Sequence, residues 1–302
     1  MVAHDPRGLL VPPPAAVIEV VVIGDALLDV HADPDEPIRP GADVSARIAL
    51  EPGGQGANLA VRLARRGVGV QLITALGDDA GGRMLRETLA AGGVDIRSVT
   101  GMPTGTVVVL RGAAGERTML SQRPTYAAAA SRELAHEAAW ILVSGYLLLE
   151  PGADALARAV AASSARRALA GCSVPEALLE RWRALAGELR PDLVVLNADE
   201  AAALGPLPDV PLLAVTDARG ARLAVGATTY RADVAPGPSA VDTTGAGDAF
   251  TAALLASFLA GPWPPGNVQD ALAAAVNAAA AVARAQGAQA RVAGEREATL
   301  PA

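Results

Sequence analysis

A run of nine residues, Asp-Thr-Thr-Gly-Ala-Gly-Asp-Ala-Phe at 242–250, combines a glycine-rich turn with a carboxylate. It precedes a long alanine-rich helical pattern, so the amides of Gly245, Ala246 and Gly247 are predicted at that helix's first turn, where unpaired N–H groups bind anions. Asp248 would repel a phosphate bound there, so we interpret it as a base. It would accept a hydroxyl proton while the amides stabilise a transferring phosphoryl group.

The second candidate site is Gly-Gly-Gln-Gly-Ala-Asn at 53–58, between an extended segment and a helix. Gly54 and its neighbours let a ligand approach the backbone closely, and Asn58 offers a donor and acceptors suited to sugar hydroxyls. A tight turn would also explain these glycines. A dinucleotide fingerprint is a further alternative, but it requires a third glycine, and Leu59 follows Asn58 instead.

Composition restricts the classes of function. The chain has 302 residues, of which 51% are hydrophobic, and a net charge of -7, which argues against nucleic acid or an anionic membrane as the main partner and favours a small molecule. All 25 basic residues are arginine, so P-loop kinases, protein kinases and Schiff-base enzymes, which need a lysine, are excluded. Cys172 is the single cysteine, and no signal peptide or membrane-length apolar run occurs, so we expect a cytoplasmic protein.

Short apolar runs alternate with helical patterns along most of the chain. Because parallel strands need crossover connections, this alternation predicts an α/β fold with a central, mostly parallel sheet flanked by helices. Residues 1–16 are predicted to be a flexible N-terminal tail and residues 17–302 a single domain. The predicted strands lie at 17–23, 70–76, 140–144, 193–196 and 212–216, and the predicted helices at 57–66, 81–91, 153–169, 176–188, 249–260 and 268–284.

Three stretches interrupt this alternation. Segments at about 34–51 and 102–122 contain strand-forming residues with no room for a helix, which predicts the antiparallel strands of a small accessory sheet. Residues 223–232 predict a hairpin that turns at Gly226. The open edges of the accessory strands need cover, so we expect a homodimer that forms through them.

The two glycine motifs resemble the signatures of the PfkB, or ribokinase-like, carbohydrate kinases. Residues 53–60 match the first signature, with Gly67 and Gly77 at the expected spacing, and residues 242–255 match the second. The resemblance covers nearly all of the chain after the tail. It implies a three-layer α/β kinase domain with a small β-sheet lid, which uses ATP and magnesium to phosphorylate the hydroxymethyl group of a sugar, as in ribokinase or fructokinase.

The resemblance also implies roles for individual residues. Asp29, Gly54 and Asn58 match positions that bind the sugar. Asn197 and Glu200 resemble the family's Asn-x-x-Glu element, which would organise hydrated magnesium and the nucleotide phosphates. A strand-end asparagine followed by a solvated glutamate is the alternative explanation of that segment.

Further positions concern the nucleotide and a cation. Thr216 and Gly220 match a nucleotide-binding Thr-x-Gly-x-x-Gly element, which is shortened here and lacks its first glycine. Asn277 is a candidate nucleotide contact, with helix packing as the alternative. Asp242 and Thr244 match a loop that in many relatives holds a monovalent cation, usually potassium, although capping of the following turn explains Asp242 equally well.

Departures from ribokinases leave the substrate open. Leu27 and Gln55 stand where ribokinases have an asparagine and a lysine, and Tyr146 stands near the place of a sugar-binding glutamate. We therefore expect Tyr146 to face the substrate, and a nucleoside is an alternative to a sugar. A non-catalytic relative that binds sugar or nucleotide is a second alternative. A Rossmann-type oxidoreductase is a third, against which the position of the glycine cluster argues.

Overall fold

The computed structural model describes residues 17–112, 117–134, 137–207, 209–240, 243–259, 261, 263 and 265–285. The predicted tail at 1–16 lies outside these residues. The strands are β1 (Val20–Ile23), β2 (Leu27–Pro34), β3 (Ala46–Gly53), β4 (Val70–Ala75), β5 (Asp95–Val99), β6 (Thr106–Arg111), β7 (Arg117–Gln122), β8 (Trp140–Ser144), β9 (Arg166–Ala170), β10 (Leu193–Asn197), β11 (Leu212–Asp217), β12 (Gly220–Val225) and β13 (Thr228–Asp233).

The helices flank the strands along the chain. They are α1 (Gln55–Ala64), α2 (Ala80–Ala91), α3 (Ala127–Ala130), α4 (Ala153–Ala162), α5 (Leu179–Leu189), α6 (Ala198–Leu204), α7 (Ala246–Leu259) and α8 (Val268–Ala283), with 3-10 turns at Gly145–Leu149 and Glu176–Leu178. Among the residues described, no helix is long and apolar enough to cross a membrane.

A nine-stranded sheet forms the centre of the fold, in the order β13-β12-β11-β10-β9-β8-β1-β4-β5. Neighbours from β11 to β5 pair in parallel, and the β12–β13 hairpin extends the sheet in antiparallel fashion. Val20 and Val22 of β1 pack into one hydrophobic cluster, while Val21 and Ile23 pack into a second one. The continuous apolar run of β1 therefore reflects burial on both faces of the sheet, and the predicted α/β fold is confirmed.

A separate four-stranded sheet has the order β3-β2-β6-β7. Its strands β2 and β6 pair in parallel, whereas β2–β3 and β6–β7 pair antiparallel. Leu27, Val107 and Val109 form its small buried cluster. Strand β2, which carries Asp29, was not predicted from the sequence and belongs to this small sheet.

The predicted helix at 153–169 was wrong over its second half. Helix α4 ends at Ala162, Ser163 takes up an extended conformation, and Arg166–Ala170 form strand β9. The β9 segment has no β-branched residue, so local propensity gave no strand signal. Pairing with β8 and β10 on both sides overrides that propensity.

Candidate active site

Helix α1 reaches the end of β1 through contact between two glycines. A Cβ on Gly56 would lie 2.4 Å from the carbonyl carbon of Gly24, and one on Gly24 would lie 2.7 Å from the Cα of Gly56. Gly54, which precedes α1, has a φ of 94°, in the region that favours glycine. These residues bring the first turn of α1 close to the carboxyl end of the central strands.

Asn58 and Asp248 meet at this place. Asn58 Nδ2 donates a hydrogen bond of 2.9 Å to Asp248 Oδ2, which joins the first turns of α1 and α7 across 190 residues of sequence. Asn58 is 5% exposed. The two glycine motifs that the sequence separates therefore form one site, and the residue predicted to contact sugar directly contacts the predicted base.

The environment of Asp248 raises the pKa of its carboxyl group to about 7. Desolvation by the surrounding protein is the main cause, although part of the residue surface remains accessible. The hydrogen bond from Asn58 and the charge of Arg62 lower this pKa, while Asp25 and Glu200 raise it. A carboxylate with a pKa near neutrality suits general-base catalysis.

The predicted anion-binding turn lies at the start of α7. Gly245 has a φ of 75° and precedes Ala246, whose N–H donates to the carbonyl oxygen of Thr243 at 3.2 Å. Gly247 is exposed, and an added Cβ there would meet nothing within 4 Å. The turn thus faces open space, with one of its three predicted amides engaged inside the protein.

The predicted cation ligands lie beside this turn. Thr244 is exposed, and Asp242 lies outside the described residues, so the monovalent cation stays a prediction. Within the residues that the structure describes, no cluster of three or more His, Cys, Asp or Glu side chains could hold a metal ion.

A large open cleft of about 1110 Å³ extends from the α7 turn. Thr243, Ala246 and Gly247 line one side of it. The predicted nucleotide residues Asn197, Thr216 and Gly220 also line it, as do, among others, Asp217, Pro236, Phe250, Val276, Ala279, Ala280, Ala283 and Arg284. Aliphatic residues of α8 therefore form its apolar wall.

Asn277 does not line the cleft. It is exposed on α8, next to the row of small residues that faces the cleft. The nucleotide contact of Asn277 therefore stays a prediction, and its exposure does not favour the helix-packing alternative.

The shortened nucleotide element forms a tight turn between β11 and β12. Asp217 Oδ1 accepts hydrogen bonds from the amides of Arg219 at 2.7 Å and Gly220 at 3.0 Å. Position 220 has no room for a side chain, because a Cβ there would lie 2.1 Å from the carbonyl oxygen of Ala232. Asp217, which follows Thr216 directly, thus stabilises the turn with its side chain.

Asn197 and Glu200 form a capping box at the start of α6. Asn197 Oδ1 accepts from the amide of Glu200 at 2.8 Å, and Glu200 Oε2 accepts from the amide of Asn197 at 2.9 Å. Burial raises the pKa of the Glu200 carboxyl group. Glu200 is therefore not the solvated side chain of the alternative interpretation, and each residue keeps acceptor capacity beyond the cap.

The predicted substrate residues lie on both sheets. Asp29 projects from β2, and burial raises the pKa of its carboxyl group to about 6. Gly53 leaves room for that carboxylate, since a Cβ there would lie 2.1 Å from Asp29 Oδ2. Tyr146 is half-buried in the 3-10 turn after β8, and the guanidinium of Arg123 lies 4.5 Å from its ring centroid.

Three charged residues near these groups were missed from the sequence. Asp25 follows β1 and pairs with Arg123, and Arg62 is fully buried in α1. An acid directly after a buried parallel strand is a signal that could have revealed Asp25. Arg123 and Arg62 carry no local signal, because only the tertiary fold brings them to the site.

Comparisons with known proteins show the family and the fold of the chain. The profile of the pfkB family carbohydrate kinases matches residues 17–293. A fructokinase from Klebsiella pneumoniae is 32% identical over 279 residues, which cover 80% of this chain and 85% of that protein. A sugar kinase from Pyrococcus horikoshii, solved in complex with ATP, superposes with a TM-score of 0.74 at 26% identity, over 89% of this chain and 94% of that one. Adenosine kinase from Sinorhizobium meliloti shares the fold, with a TM-score of 0.74, 23% identity, and coverage of 92% and 97%.

Proposed function

The chain belongs to the pfkB family of carbohydrate kinases, and we propose that it transfers the γ-phosphoryl group of ATP to the hydroxymethyl group of a sugar, as a ribokinase or fructokinase does. The contact between Asn58 and Asp248 carries this proposal. It joins the glycine motif at the start of α1 to a carboxylate of near-neutral pKa that directly follows a glycine turn at the border of an open cleft. A sugar or a nucleotide binder without catalysis would need neither the raised pKa nor the carboxylate beside the cleft.

In this mechanism the hydroxyl of the substrate lies against Asp248 and loses its proton to it as the phosphoryl group arrives. Asn58 holds the carboxylate in place through its 2.9 Å hydrogen bond. The amides of Gly245 and Gly247, together with that of Ala246 once it exchanges its internal partner, stabilise negative charge on the phosphoryl oxygens. Asp29 and Gly54 bind the sugar, and the cleft beside α8 holds the nucleotide.

The small sheet acts in this proposal as a lid. Asp29 lies on its strand β2, and Arg123 follows its strand β7 directly, so the sheet carries substrate contacts. Movement of this sheet toward the central one would exclude water, which would otherwise compete with the sugar for the phosphoryl group.

The residues around Asn197 fit a hydrated magnesium ion that they would contact through its waters. Both Asn197 and Glu200 offer oxygen atoms, one of them in the cleft wall, and each already accepts one backbone hydrogen bond. Magnesium commonly keeps several waters and takes few protein ligands, so this pair would hold its hydration shell. When bound, the ion neutralises charge on the nucleotide phosphates.

Two features favour a sugar over a nucleoside. Leu27 is 1% exposed and packs inside the small sheet, so it provides no apolar wall for a base. Arg123 covers the ring of Tyr146, which is then not free to stack on a base from that side. Both observations weaken the reasons for which the sequence left a nucleoside open.

The test is ADP release by the purified chain with ATP, magnesium and a panel of pentoses, hexoses and nucleosides. We expect release above the background rate with at least one sugar and loss of that signal in Asp248→Asn. Equal rates with and without every sugar, or a fully active Asp248→Asn variant, would refute the proposed function.

We also propose that two copies associate through their small sheets. Ile48, Leu50, Met119 and Leu120 are exposed apolar residues of its edge strands β3 and β7, each more than half exposed. Sedimentation should give a dimer that Leu50→Lys dissociates. A monomer at all concentrations would contradict this assembly.

A further inference from the structure

A smaller cavity of about 210 Å³ adjoins the proposed substrate residues. Asp25, Arg123, Glu150 and Tyr146 contribute to its lining. A Cβ on Gly53 would lie 2.1 Å from Asp29 Oδ2, and one on Gly54 would lie 2.5 Å from the carbonyl oxygen of Asp25, so two adjacent glycines connect a lining residue of the cavity with the side chain that is proposed to grip the sugar. The polar lining of the cavity therefore bears on which substrates can enter.

The one cation among the lining residues in the described part of the chain is Arg123, and it is already paired. Arg123 Nη1 donates to Asp25 Oδ2, and its guanidinium lies 4.5 Å from the ring centroid of Tyr146. The Asp25 side chain is only 8% exposed, and its Oδ1 lies 3.4 Å from the amide nitrogen of Gly56, which donates to it. The guanidinium is thus held between a buried carboxylate and an aromatic face.

Carboxylates outnumber this cation. Asp25 and Glu150 line the cavity, and the Asp29 carboxylate lies against Gly53, whose neighbour Gly54 lies against Asp25. An anionic substituent on a substrate would face these carboxylates, and the charge of Arg123 that could attract it is already neutralised by Asp25. Displacing Asp25 from Arg123 would leave a buried carboxylate without its partner. Sugar hydroxyls face neither cost, because they donate hydrogen bonds to carboxylates.

We infer that the Asp25–Arg123 pair restricts this kinase to uncharged sugars and excludes sugar phosphates and sugar acids. The inference rests on the proposed function and adds a substrate class to it. Arg123 is a specificity-determining residue here and takes no part in proton transfer.

Matched substrate pairs test the inference. D-fructose with D-fructose 1-phosphate, and D-glucose with D-glucose 1-phosphate, differ mainly by an anionic group and keep a free hydroxymethyl group, while D-gluconate adds a sugar acid on an open chain. For a pair whose neutral member is phosphorylated, we expect kcat/KM to favour that member by at least about 100-fold. Asp25→Asn keeps the shape of the side chain and releases the guanidinium, so this preference should fall by at least about tenfold, through a lower KM for the anionic member.

Asp154→Asn is the matched control, because Asp154 forms an exposed ion pair with Arg158 at 2.7 Å and is not one of the residues that line the cavity. It should leave the preference unchanged. If Asp25→Asn does not fold, Arg123→Gln takes its place and should strengthen the preference at least about threefold, since the carboxylates then lack compensation.

The outcomes separate this inference from the proposed function. Faster phosphorylation of an anionic member by the wild type would overturn the inference and leave the kinase function standing. An unchanged preference in Asp25→Asn, or a weaker one in Arg123→Gln, would also overturn it. If no sugar is phosphorylated, the proposed function fails, but calorimetric binding of each pair still tests the charge preference. Tighter binding of the neutral member supports the preference, and equal or tighter binding of the anionic member refutes it.

Discussion

Asn58 and Arg62 lie one helical turn apart on α1, are both buried, and both lower the pKa of the Asp248 carboxyl group. Asn58 acts through a hydrogen bond and Arg62 through its charge. They oppose desolvation and the charges of Asp25 and Glu200, which raise the pKa. Two side chains of the first helix therefore favour the ionised form of Asp248, which we propose as the base, against the larger effect of desolvation.

Replacement of Asp248 by asparagine should abolish most of the activity. A positioned base contributes about 10² to 10⁴ in rate, so kcat should fall by at least about 100-fold. The amide of the variant can still accept from Asn58, so the local structure and the sugar affinity should persist. Steady-state kinetics and calorimetry measure both quantities, and a kcat within threefold or so of the wild type would contradict the assignment.

Removal of Asn58 should affect the chemical step as well as binding. A direct contact between Asn58 and the sugar, as the sequence predicts, would make Asn58→Ala raise the KM of the sugar. Because Asn58 donates to Asp248, its loss should also raise the pKa of the base and lower kcat, most strongly below neutral pH. A pH profile of kcat shows this, with Asp29→Ala as the comparison that should change KM alone.

Arg62 should influence the pH profile without touching the substrate. In the wild type, kcat/KM should fall as the pH drops below about 7, since Asp248 is then protonated. Arg62→Met removes a charge that favours the ionised form, so the acid limb should move to higher pH, and activity at pH 6 should fall at least about threefold more than at pH 8.5. Arg62→Lys, which keeps the charge, should restore most of the profile.

Arg86→Met is the control for that experiment. Arg86 donates to the carbonyl oxygens of Gly77 and Leu76, both at 3.1 Å, so its loss should destabilise the fold without contacting the base. The acid limb should stay in place in this variant. If the acid limb of the pH profile shifts equally in both variants, Arg62 affects the profile only through the stability of the fold.

Much of the site was predictable because its motifs are local. The turn at Gly245 and the start of α1 near Gly54 depend on backbone conformations that favour glycine. The glycines in the sequence therefore predict both turns. The apolar run of β1 predicted burial on both faces for the same local reason. The family resemblance then supplied the relation between distant motifs.

The remaining features depend on contacts between distant segments. Strand β9 forms from residues of helical composition because β8 and β10 pair with it. Arg123 reaches Asp25 from the end of another sheet, 98 residues away. Asn277 lies one step along α8 from the cleft-lining Val276, which is a rotation of about 100°, and sequence does not fix that rotation.

The same Asp248→Asn variant should be more stable than the wild type at alkaline pH. The folded protein raises the pKa of this carboxyl group from 3.8 to about 7, so ionisation costs stability as the pH rises through that interval. Asparagine does not titrate. The free energy of unfolding of the variant should equal that of the wild type near pH 4 and should exceed it increasingly up to pH 7. The difference should level off at on the order of 1 to 3 kcal/mol, less than the full pKa shift implies, because the site is partly solvated.

Thermal melts of both proteins at pH 5 and pH 8 measure this difference. We expect a melting temperature a few degrees higher for the variant at pH 8, and a smaller difference at pH 5. A constant difference across pH would mean that Asp248 has an ordinary pKa in the folded protein.

Alanine at two glycines should separate a structural role from a catalytic one. A Cβ on Gly56 would lie 2.4 Å from backbone of Gly24, so Gly56→Ala should push α1 from the sheet and lower stability by about 2 kcal/mol or more. Gly247 has open space around it, so Gly247→Ala should fold with equal or higher stability, because alanine favours the helix.

Gly247→Ala should lower the activity of the protein although it does not lower its stability. Its new methyl group would occupy the space in which a phosphoryl group approaches the amides, so kcat should fall at least about tenfold in a fully folded protein. Circular dichroism melts and ADP release measure the two effects on the same samples. Normal turnover in Gly247→Ala would remove the amide turn from the mechanism, because a group bound there cannot share its volume with a methyl.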